Sequence, residues 1–486
     1  MVKSIIRIGC GVFILIISFF VTLNCVAGEV GLGFEVGVIS DAEQVGKRMR
    51  SRQPQLDNLP TTFLNESGIR QLKGKYITLF TDVKSGAEVD RLPYIFDLMV
   101  LGLCEYFGVK PVNYEEFRVR VFLIDDLGKF SKHNVLRGAA DLRFGYSLQN
   151  QIWVRHQKDD YYQRHLFLHE GVHAFMFYAF GTFPPFWYRE GIAEMLATHK
   201  FENGKLKLGW FPNDTKSVLG LGRVETIQRL IERLDNKSDK NTVDISGLDY
   251  LFSLGESVQG VDQVDLYSVC WGLVMFCDNH PRYRAAFRRL VFRLSESRVD
   301  FRERLIALIA SESKTDLLTT RFRFEADWND FKKNICYGYD FERAIIDFQA
   351  PPINVTKNNK DIVIRVDRGW QNSGLVLEVG KRYKLTATGR FQVADKPDIW
   401  WSEPNGITIR YNQKMPIGKL QAMILPDAVS PTAKIPTPEY KEIGENITWQ
   451  PAKKGSLFLK INDPASSLAD NKGTLTLTIQ ELPNIP

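Results

Sequence analysis

The hydrophobic pattern of this 486-residue chain changes near "FQAPPINVT", and the change divides it into two parts. Over residues 75–345, strand-like runs and helical stretches follow one another, and the pattern is mainly helical from about residue 217. From residue 352 onward, short alternating runs such as "RYKLTATG" and "TLTLTI" are separated by Gly, Pro, Asn and Asp, which is typical of strands. We therefore predict an α+β domain over 75–345 and an all-β sandwich over 352–486.

Three apolar runs in the first part are each predicted to form one strand: "KYITLFTDV" (75–83), "FRVRVFLIDD" (117–126) and "GYSLQNQIWVRH" (145–156). The stretch "AEVDRLPYIFDLMVLGLCEYFG" has apolar residues at helical spacing and is predicted to be a helix that ends at Gly108. Residues 29–74 are mixed in character, and we expect them to form a loosely structured lead-in.

The first 28 residues have the features of a secretory signal peptide. A short basic segment precedes an uncharged run, and Val26 and Gly28 occupy positions −3 and −1 of a cleavage site before Glu29. An uncleaved anchor is the alternative, because the run is about as long as the roughly 20 residues that a bilayer requires. We expect cleavage, no stable membrane insertion afterwards, and a secreted protein of the periplasm or cell surface.

Charge and cysteine content argue against a nucleic-acid partner and against a zinc site made of cysteines. The formal charge is +6 with acidic and basic residues interleaved, so we expect no nucleic-acid partner. After cleavage Cys104, Cys270, Cys277 and Cys336 remain, and either one or two disulfides or buried apolar thiols fit an exported protein. No CxxC pair is present, so a cysteine zinc site is not expected.

A helical stretch carries the pentapeptide His169-Glu170-Gly171-Val172-His173, which has the form HExxH. Two histidines at positions i and i+4 share one helix face, so their imidazoles can converge on one zinc ion. Glu170 lies between them and can reach a water molecule on that ion and accept its proton.

A second helix is predicted to supply the third ligand. The sequence "FWYREGIAEML" follows a Pro-Pro break and carries Glu190 and Glu194, again at i and i+4. One carboxylate can complete the metal site, and the other can accept the free imidazole N–H of a ligand. Three protein ligands and a water molecule are typical of a catalytic rather than a structural zinc site.

"HEGVH" followed by "WYREGIAE" resembles the peptidase-MA-like gluzincin metallopeptidases, over about residues 75–290. The resemblance implies a zincin-like α+β fold and zinc held by His169, His173 and Glu190. It also implies Glu170 as general base and Glu194 as a residue that orients a ligand.

The same resemblance implies two further features of a peptidase. Tyr267, at the start of "DLYSVCWGLVMF", would hydrogen-bond the oxyanion, and simple packing is the alternative for this residue. The strand "GYSLQNQIWV" would be the edge strand that aligns an extended peptide.

Two other histidines are left out of the predicted site. His165 lies one turn before His169, and we interpret it as a surface or capping residue. His199 ends the second predicted helix, where a histidine suits the helix dipole.

The C-terminal series "GWQNSGLVLEVGKRYKLTATGRF", "MPIGKLQAMI" and "GSLFLKINDPASSLADNKGTLTLTI" resembles the sandwich of calcium-dependent galactose-binding bacterial lectins and related galactose-binding-like modules. The resemblance implies calcium held by Asp463, Ser467, Asp470 and Asn471, with a backbone carbonyl near Val393. Asp470 replaces the amide of the lectins, and "WWSEPNGIT" replaces their galactose-binding loop. A polar hairpin loop without calcium is the alternative.

Two hypotheses about function follow. The first is a secreted zinc peptidase that acts on a protein or peptide and whose sandwich binds glycan or another surface, with exposed Trp400 and Trp401 stacking on sugar. The second is a non-catalytic adhesion or carbohydrate-binding protein with a metallopeptidase-like scaffold. For the tryptophan pair itself, burial is the alternative to stacking on sugar. Glu170 favours the enzyme, because a structural zinc site needs no base.

Overall fold

A computed structural model describes residues 58–483, except 111–116, 137–138, 140–141, 182–183, 219–221, 236–243, 255–260, 294–300, 350–352, 355–359 and 428–436. The predicted signal peptide (1–28) and most of the predicted lead-in lie outside the described residues. In the part of the chain that is described, no helix combines the length and the apolar character needed to cross a membrane.

The described elements are mixed up to residue 334, and beyond it they are strands apart from one short 3-10 turn, as the predicted change from a mixed to a β-rich part requires. The helices are α1 (Thr61–Glu66), α2 (Ala87–Asp90), α3 (Leu92–Tyr106), α4 (Asp160–Phe180), α5 (Phe186–Ala197), α6 (Arg223–Asp235), α7 (Leu248–Ser253), α8 (Gln263–Asn279), α9 (Arg284–Leu290), α10 (Phe301–Ser313) and α11 (Leu317–Asn334). The strands of the first part are β1 (Arg70–Lys73), β2 (Ile77–Thr81), β3 (Val119–Ile124), β4 (Gly145–Leu148), β5 (Gln151–Arg155), β6 (Lys200–Glu202) and β7 (Lys205–Lys207). Those of the second part are β8 (Ile353–Asn354), β9 (Lys360–Arg365), β10 (Gln371–Leu377), β11 (Arg382–Thr388), β12 (Phe391–Ala394), β13 (Trp400–Ser402), β14 (Ile407–Asn412), β15 (Met415–Ile417), β16 (Leu420–Leu425), β17 (Glu439–Glu442), β18 (Asn446–Trp449), β19 (Gly455–Ile461) and β20 (Thr474–Leu482).

The first domain contains a five-stranded sheet in the order β1-β2-β3-β5-β4. The three central strands are parallel, and both outer strands are antiparallel to their neighbours. Strand β1 falls within the lead-in that we expected to be loosely structured, as does helix α1, so that expectation was wrong for residues 61–66 and 70–73. Its sequence "RQLK" is too polar to stand out as a strand, and only pairing with β2 makes it one.

The other outer strand also differs from the prediction. Residues 145–155 form two strands, β4 and β5, instead of one continuous strand. They are joined by a tight turn in which Gln149 has a φ of 55°, and Leu148 pairs with Gln151. Alternation of side chains continues through a hairpin of this kind, so the sequence pattern alone did not reveal the turn.

Helices α4 and α5 lie next to each other and carry the predicted metal motif. Helix α4 begins at Asp160 because the side chain of Asp159 accepts a hydrogen bond from the backbone N–H of Tyr162 at 2.7 Å. It ends at Gly181, whose φ of 64° is a conformation that glycine adopts easily. Both helices are buried over most of their length, so the polar motif lies inside an apolar core.

Helix α8 approaches α5 closely at Gly191. A Cβ atom at this position would lie 2.5 Å from Val274 Cγ2 and 2.6 Å from the backbone oxygen of Cys270. Glycine is therefore required for this contact, which brings the start of α8 to the metal-motif residues of α5.

Cys270 and Cys277 on α8 and Cys104 on α3 are buried thiols, and within the described chain no cysteine is in a disulfide. Of the two cysteine alternatives, the structure has the buried thiols.

The second domain is a sandwich of two antiparallel-rich sheets with strand orders β17-β16-β19-β10-β8 and β18-β11-β20-β9. Their inner faces form one apolar core, which includes Ile364, Leu375, Leu385, Val393, Leu420, Leu459 and Leu477. The two domains share a further cluster made of Phe322, Ala326, Ile346, Phe348, Trp370, Met423, Leu425 and Phe458. The indole N–H of Trp370 donates to Asp330 Oδ1 at 2.9 Å, which joins the sandwich to α11.

The Gly191→Ala variant tests the close approach of α5 and α8. Alanine in a helix interior normally stabilises by about 1 kcal/mol relative to glycine. Here we expect a loss of about 1–3 kcal/mol in the free energy of unfolding, because the new methyl group meets backbone and side-chain atoms of α8. Urea unfolding measures the change. Gly86→Ala is the control, since no atom lies within 4 Å of its added Cβ; equal or greater stability of Gly191→Ala would contradict the packing described.

Candidate metal centre

The three predicted metal ligands converge at the contact between α4 and α5. His169 and His173 are one turn apart on α4, and their Nε2 atoms lie 3.1 Å from each other. Glu190, on the first turns of α5, places Oε2 3.5 Å from His169 Nε2 and 3.2 Å from His173 Nε2. Two imidazole nitrogens and a carboxylate oxygen thus face one point.

These donor separations fit a tetrahedral cation. Ligands about 2.0–2.1 Å from a zinc ion in tetrahedral geometry are about 3.3 Å from one another, and the three separations here are 3.1, 3.2 and 3.5 Å. All three side chains are largely buried, with exposed fractions of 8% for His169, 13% for His173 and 8% for Glu190. The group can therefore hold a metal ion.

The charges around the group also favour a cation. Burial alone lowers the pKa of His169, but the carboxylates of Glu190 and Glu194 outweigh it and raise that pKa to about 10. Burial raises the pKa of Glu190, but the two imidazoles outweigh it and hold that pKa well below its usual range. The site is thus built to stabilise positive charge between its carboxylates.

Glu194 lies behind the ligands, in the position expected of a residue that orients an imidazole. Its Oε1 atom is 3.3 Å from His169 Nδ1, on the ring edge opposite the converging Nε2 atoms. Its Oε2 atom accepts hydrogen bonds from Arg223 Nε at 3.2 Å and Nη2 at 2.8 Å. The guanidinium of Arg223 thereby fixes the carboxylate that faces His169.

His165 is a buried member of this network, so the interpretation of it as a surface or capping residue was wrong. It is 1% exposed, with Nε2 3.2 Å from Glu194 Oε2 and Nδ1 3.1 Å from the backbone oxygen of Ala197. Its spacing of four residues before His169 was the signal, because that spacing puts both rings on one helix face. Arg223, in contrast, has no sequence spacing that relates it to the motif.

We had expected His199 to interact with the helix dipole, and this expectation was wrong. It is buried, its Nδ1–H donates to the backbone oxygen of Ala197 at 2.8 Å, and its Nε2 accepts from Arg164 at 3.3 Å. Burial lowers its pKa to about 3, so the ring is neutral and carries no charge for a dipole to stabilise. The ring instead stacks on Tyr161, with centroids 4.6 Å apart.

Glu170 faces the outer strand β4. It is buried, and burial raises the pKa of its carboxyl. A Cβ atom at Gly145, the first residue of β4, would lie 2.6 Å from Glu170 Oε1. Glycine at this position allows the strand to pass directly beside the carboxylate, and Ser147 of the same strand hydrogen-bonds it. The base candidate is therefore held between the metal-binding group and the edge of the sheet.

Tyr267 lies at the same site, at the start of α8. Its ring centroid is 6.3 Å from that of His169 and 6.1 Å from that of Phe186, on which it stacks at 17°. The ring is partly exposed, and burial of the hydroxyl raises its pKa, so the phenol stays protonated near neutral pH. A protonated hydroxyl beside the metal-binding group can donate a hydrogen bond.

The second predicted site, in the sandwich, also brings oxygen atoms together. Asp463 Oδ2 accepts from Asn471 Nδ2 at 2.9 Å, and the Oδ1 atoms of Asp463, Asp470 and Asn471 are buried with no hydrogen-bond partner among the described residues. Burial raises the pKa of Asp463 to about 7. Three buried oxygens without donors fit a hard cation such as calcium, which takes 6–8 oxygen ligands.

The remaining predicted residues of this site lie near it. Ser467 directly precedes the short 3-10 turn Leu468–Asp470. Val393 is buried in β12, and its neighbour Gln392 donates to the backbone oxygen of Asp470 at 2.8 Å. We had left open whether Trp400 and Trp401 are exposed or buried. Trp400 packs against the sandwich core, whereas Trp401 is 49% exposed. Arg390 lies over the Trp401 ring, with its Cζ atom 5.5 Å from the ring centre.

The fold and site define a mixed helix-and-sheet domain with a buried His-His-Glu group, followed by a β-rich domain. No protein-family model and no curated protein sequence matches the chain. The chain is similar to a structure described as "EclA N-terminal domain; PllA-like lectin", at 16% identity over 26% of this chain and 95% of that chain, with a TM-score of 0.19. It is also similar to "IMPa metallopeptidase in complex with T-antigen", at 11% identity over 91% of this chain and 54% of that chain, with a TM-score of 0.14. Neither likeness is high enough to carry an argument.

The Arg223→Met variant tests the support of Glu194. The substitution keeps an apolar stem of similar length but leaves a buried carboxylate without its guanidinium partner. We expect a loss of about 3 kcal/mol in the free energy of unfolding of the metal-free protein, measured in urea with chelator present. Arg229→Met, at an exposed position of the same helix, is the matched control and should change stability by less than about 0.5 kcal/mol. Equal stability of the two variants would show that the ion pair does not support the site.

Proposed function

We propose that this chain is a secreted, zinc-dependent peptidase of the gluzincin type. The observation that carries the proposal is the convergence of His169, His173 and Glu190, with ligand atoms 3.1–3.5 Å apart. The buried carboxylate of Glu170 is close enough to interact electrostatically with all three. The signal peptide predicted for residues 1–28 supports export. A purely structural metal site would have no use for the buried carboxylate at position 170.

Each residue of the site has a chemical role in this proposal. His169, His173 and Glu190 would hold zinc, which when bound supplies a Lewis acid and lowers the pKa of water toward about 7. Glu170 takes a proton from the attacking water and passes it to the leaving amine. Its raised pKa suits this role, because a base that binds the proton more tightly removes it more readily at neutral pH.

Two neighbours would position the substrate. Tyr267 donates its hydroxyl proton in a hydrogen bond to the carbonyl oxygen of the scissile peptide bond, where negative charge develops. Strand β4 is an outer strand, and the main-chain groups on its outer edge can pair with an extended peptide. Because Gly145 and Ser147 of β4 contact Glu170, a peptide paired with β4 lies beside the base.

The Glu170→Gln variant tests catalysis at this site. Glutamine preserves the volume of the side chain but cannot accept the proton, so we expect hydrolysis of a peptide library to fall by about 10²–10⁴-fold. Zinc content, measured by elemental analysis of the purified protein, should be unchanged because Glu170 is not a ligand. Glu105→Gln, at an exposed position of α3, is the matched control and should retain full activity.

The outcomes separate the enzyme from its alternative. A wild type that holds no zinc would refute the metal site. A wild type and Glu170→Gln that both hold zinc and hydrolyse peptides equally would exclude catalysis by Glu170. Zinc without any hydrolysis in either protein would favour the non-catalytic adhesion or carbohydrate-binding protein.

For the sandwich we propose a calcium site at Asp463, Ser467, Asp470 and Asn471, through which the domain binds glycan. The proposal is supported by the three buried oxygens that lack donors. The raised pKa of Asp463 also supports it, because a bound cation would stabilise the ionised form of this carboxyl.

Calcium should therefore stabilise the protein. We expect about 2.7 kcal/mol of added stability at a free calcium concentration 100 times the dissociation constant, measured by thermal unfolding. Asp463→Asn should remove this effect, because it deletes a ligand charge. Asp398→Asn, an exposed position in the same domain, should respond to calcium like the wild type. A calcium effect that survives in Asp463→Asn would contradict the assignment.

A further inference from the structure

A cleft of about 920 Å³ lies at the junction of the two domains. One wall comes from α6 and α11, and the other from β16, β17 and β19 of the sandwich. The walls are joined by the hydrogen bond from Trp370 to Asp330 and by another at 3.0 Å from Gln413 Nε2 to the backbone oxygen of Lys333. The cleft is thus a preformed cavity of the size that binds small ligands, at a domain junction where such sites are common.

The walls of the cleft are basic. Five lysines and three carboxylates line it, and no arginine does. Lys332 points to Asp244 and Ser246, on the other side of α11. The other four, Lys333, Lys414, Lys441 and Lys460, have no carboxylate within ion-pair distance among the described residues. Asp330 offsets part of the charge of Lys333 and Lys460, but five lysines face only three carboxylates in the lining as a whole.

Two of these ammonium groups also lie over aromatic rings. Lys460 Nζ lies 4.6 Å from the ring centre of Trp370, and Lys333 Nζ lies 5.2 Å from that of Tyr440. A neutral ring positions an ammonium group without cancelling its charge. Burial lowers the pKa of Lys460, and only Asp330 opposes this effect, so a bound anion would stabilise the charged form.

The cleft also offers groups that suit hydroxyls and a sugar ring. Gln228 donates through Nε2 to the backbone oxygen of Ile335 at 2.9 Å, and Asn412 donates through Nδ2 to Asn462 Oδ1 at 3.2 Å. With the nitrogens fixed in this way, the amide oxygens are oriented acceptors for ligand hydroxyls. Tyr440 is 47% exposed at the cleft and presents an aromatic surface on which a sugar can pack.

We propose that this cleft binds a short acidic oligosaccharide, with its carboxylates on the lysines, its hydroxyls on the amide oxygens and a sugar ring on Tyr440. None of the proposed zinc or calcium ligands lines the cleft, although Pro464 and Ala465 of the calcium loop do, and the proposal depends on neither metal site. Lysine ammonium groups, as compact point charges, suit scattered carboxylates of this kind. Binding at the junction would also hold the two domains together.

Isothermal titration of the full mature chain with tetragalacturonate tests the proposal, with maltotetraose as the neutral sugar and tetraglutamate as the acidic peptide. We expect binding of tetragalacturonate that weakens with added sodium chloride, because the contacts are ionic. The other two probes should bind at least about tenfold more weakly. Binding should persist with a metal chelator present, which separates it from sugar binding through calcium.

A double variant and its charge-matched control locate the binding. Lys333→Gln with Lys441→Gln removes two charges from the rim and should weaken tetragalacturonate binding at least about tenfold. Lys205→Gln with Lys207→Gln, exposed on the distant hairpin β6–β7, should leave the affinity within about twofold. The proposal is overturned by any of three results: no binding by the wild type, equal binding of maltotetraose or tetraglutamate, or equal affinity of the two double variants.

Discussion

Burial of His169, His173, Glu190 and Glu194 in one apolar core is the constraint on which the rest of the first domain depends. Ionisable groups removed from water cost several kcal/mol each unless partners satisfy them. Here the partners are each other: each imidazole has a nitrogen within 3.5 Å of a carboxylate oxygen, and each carboxylate has an oxygen within 3.5 Å of an imidazole nitrogen. A cation at the convergence point would complete this arrangement, because it would satisfy two ring nitrogens and a carboxylate at once.

The surrounding scaffold holds these side chains by close backbone contacts and by a second layer of charge. Gly191 lets α8 approach α5, and Gly145 lets β4 approach Glu170, so neither position accepts a larger side chain without displacement. Arg223 and His165 fix Glu194, which in turn faces His169. The positions of the proposed metal ligands and of Glu170 are therefore fixed by residues outside that set.

Local geometry was predictable from the sequence, and tertiary contacts were not. The i, i+4 spacing of His169 and His173 is a property of any helix, so their shared face followed from sequence alone. Arg223 reaches Glu194 only because α6 packs next to α5, and no spacing encodes that contact. His165 and His199 were misjudged for the same reason, since their burial depends on neighbouring elements. The β4–β5 turn was missed because side-chain alternation continues through it.

The central claim is that the buried His-His-Glu group holds zinc, and the most direct measurement is X-ray absorption at the zinc edge of the purified mature protein, together with zinc quantification. We predict one zinc per chain with only nitrogen and oxygen ligands at about 2.0–2.1 Å, and loss of that zinc in His173→Ala. Absence of zinc, a sulfur ligand at about 2.3 Å, or undiminished zinc in His173→Ala would contradict the claim.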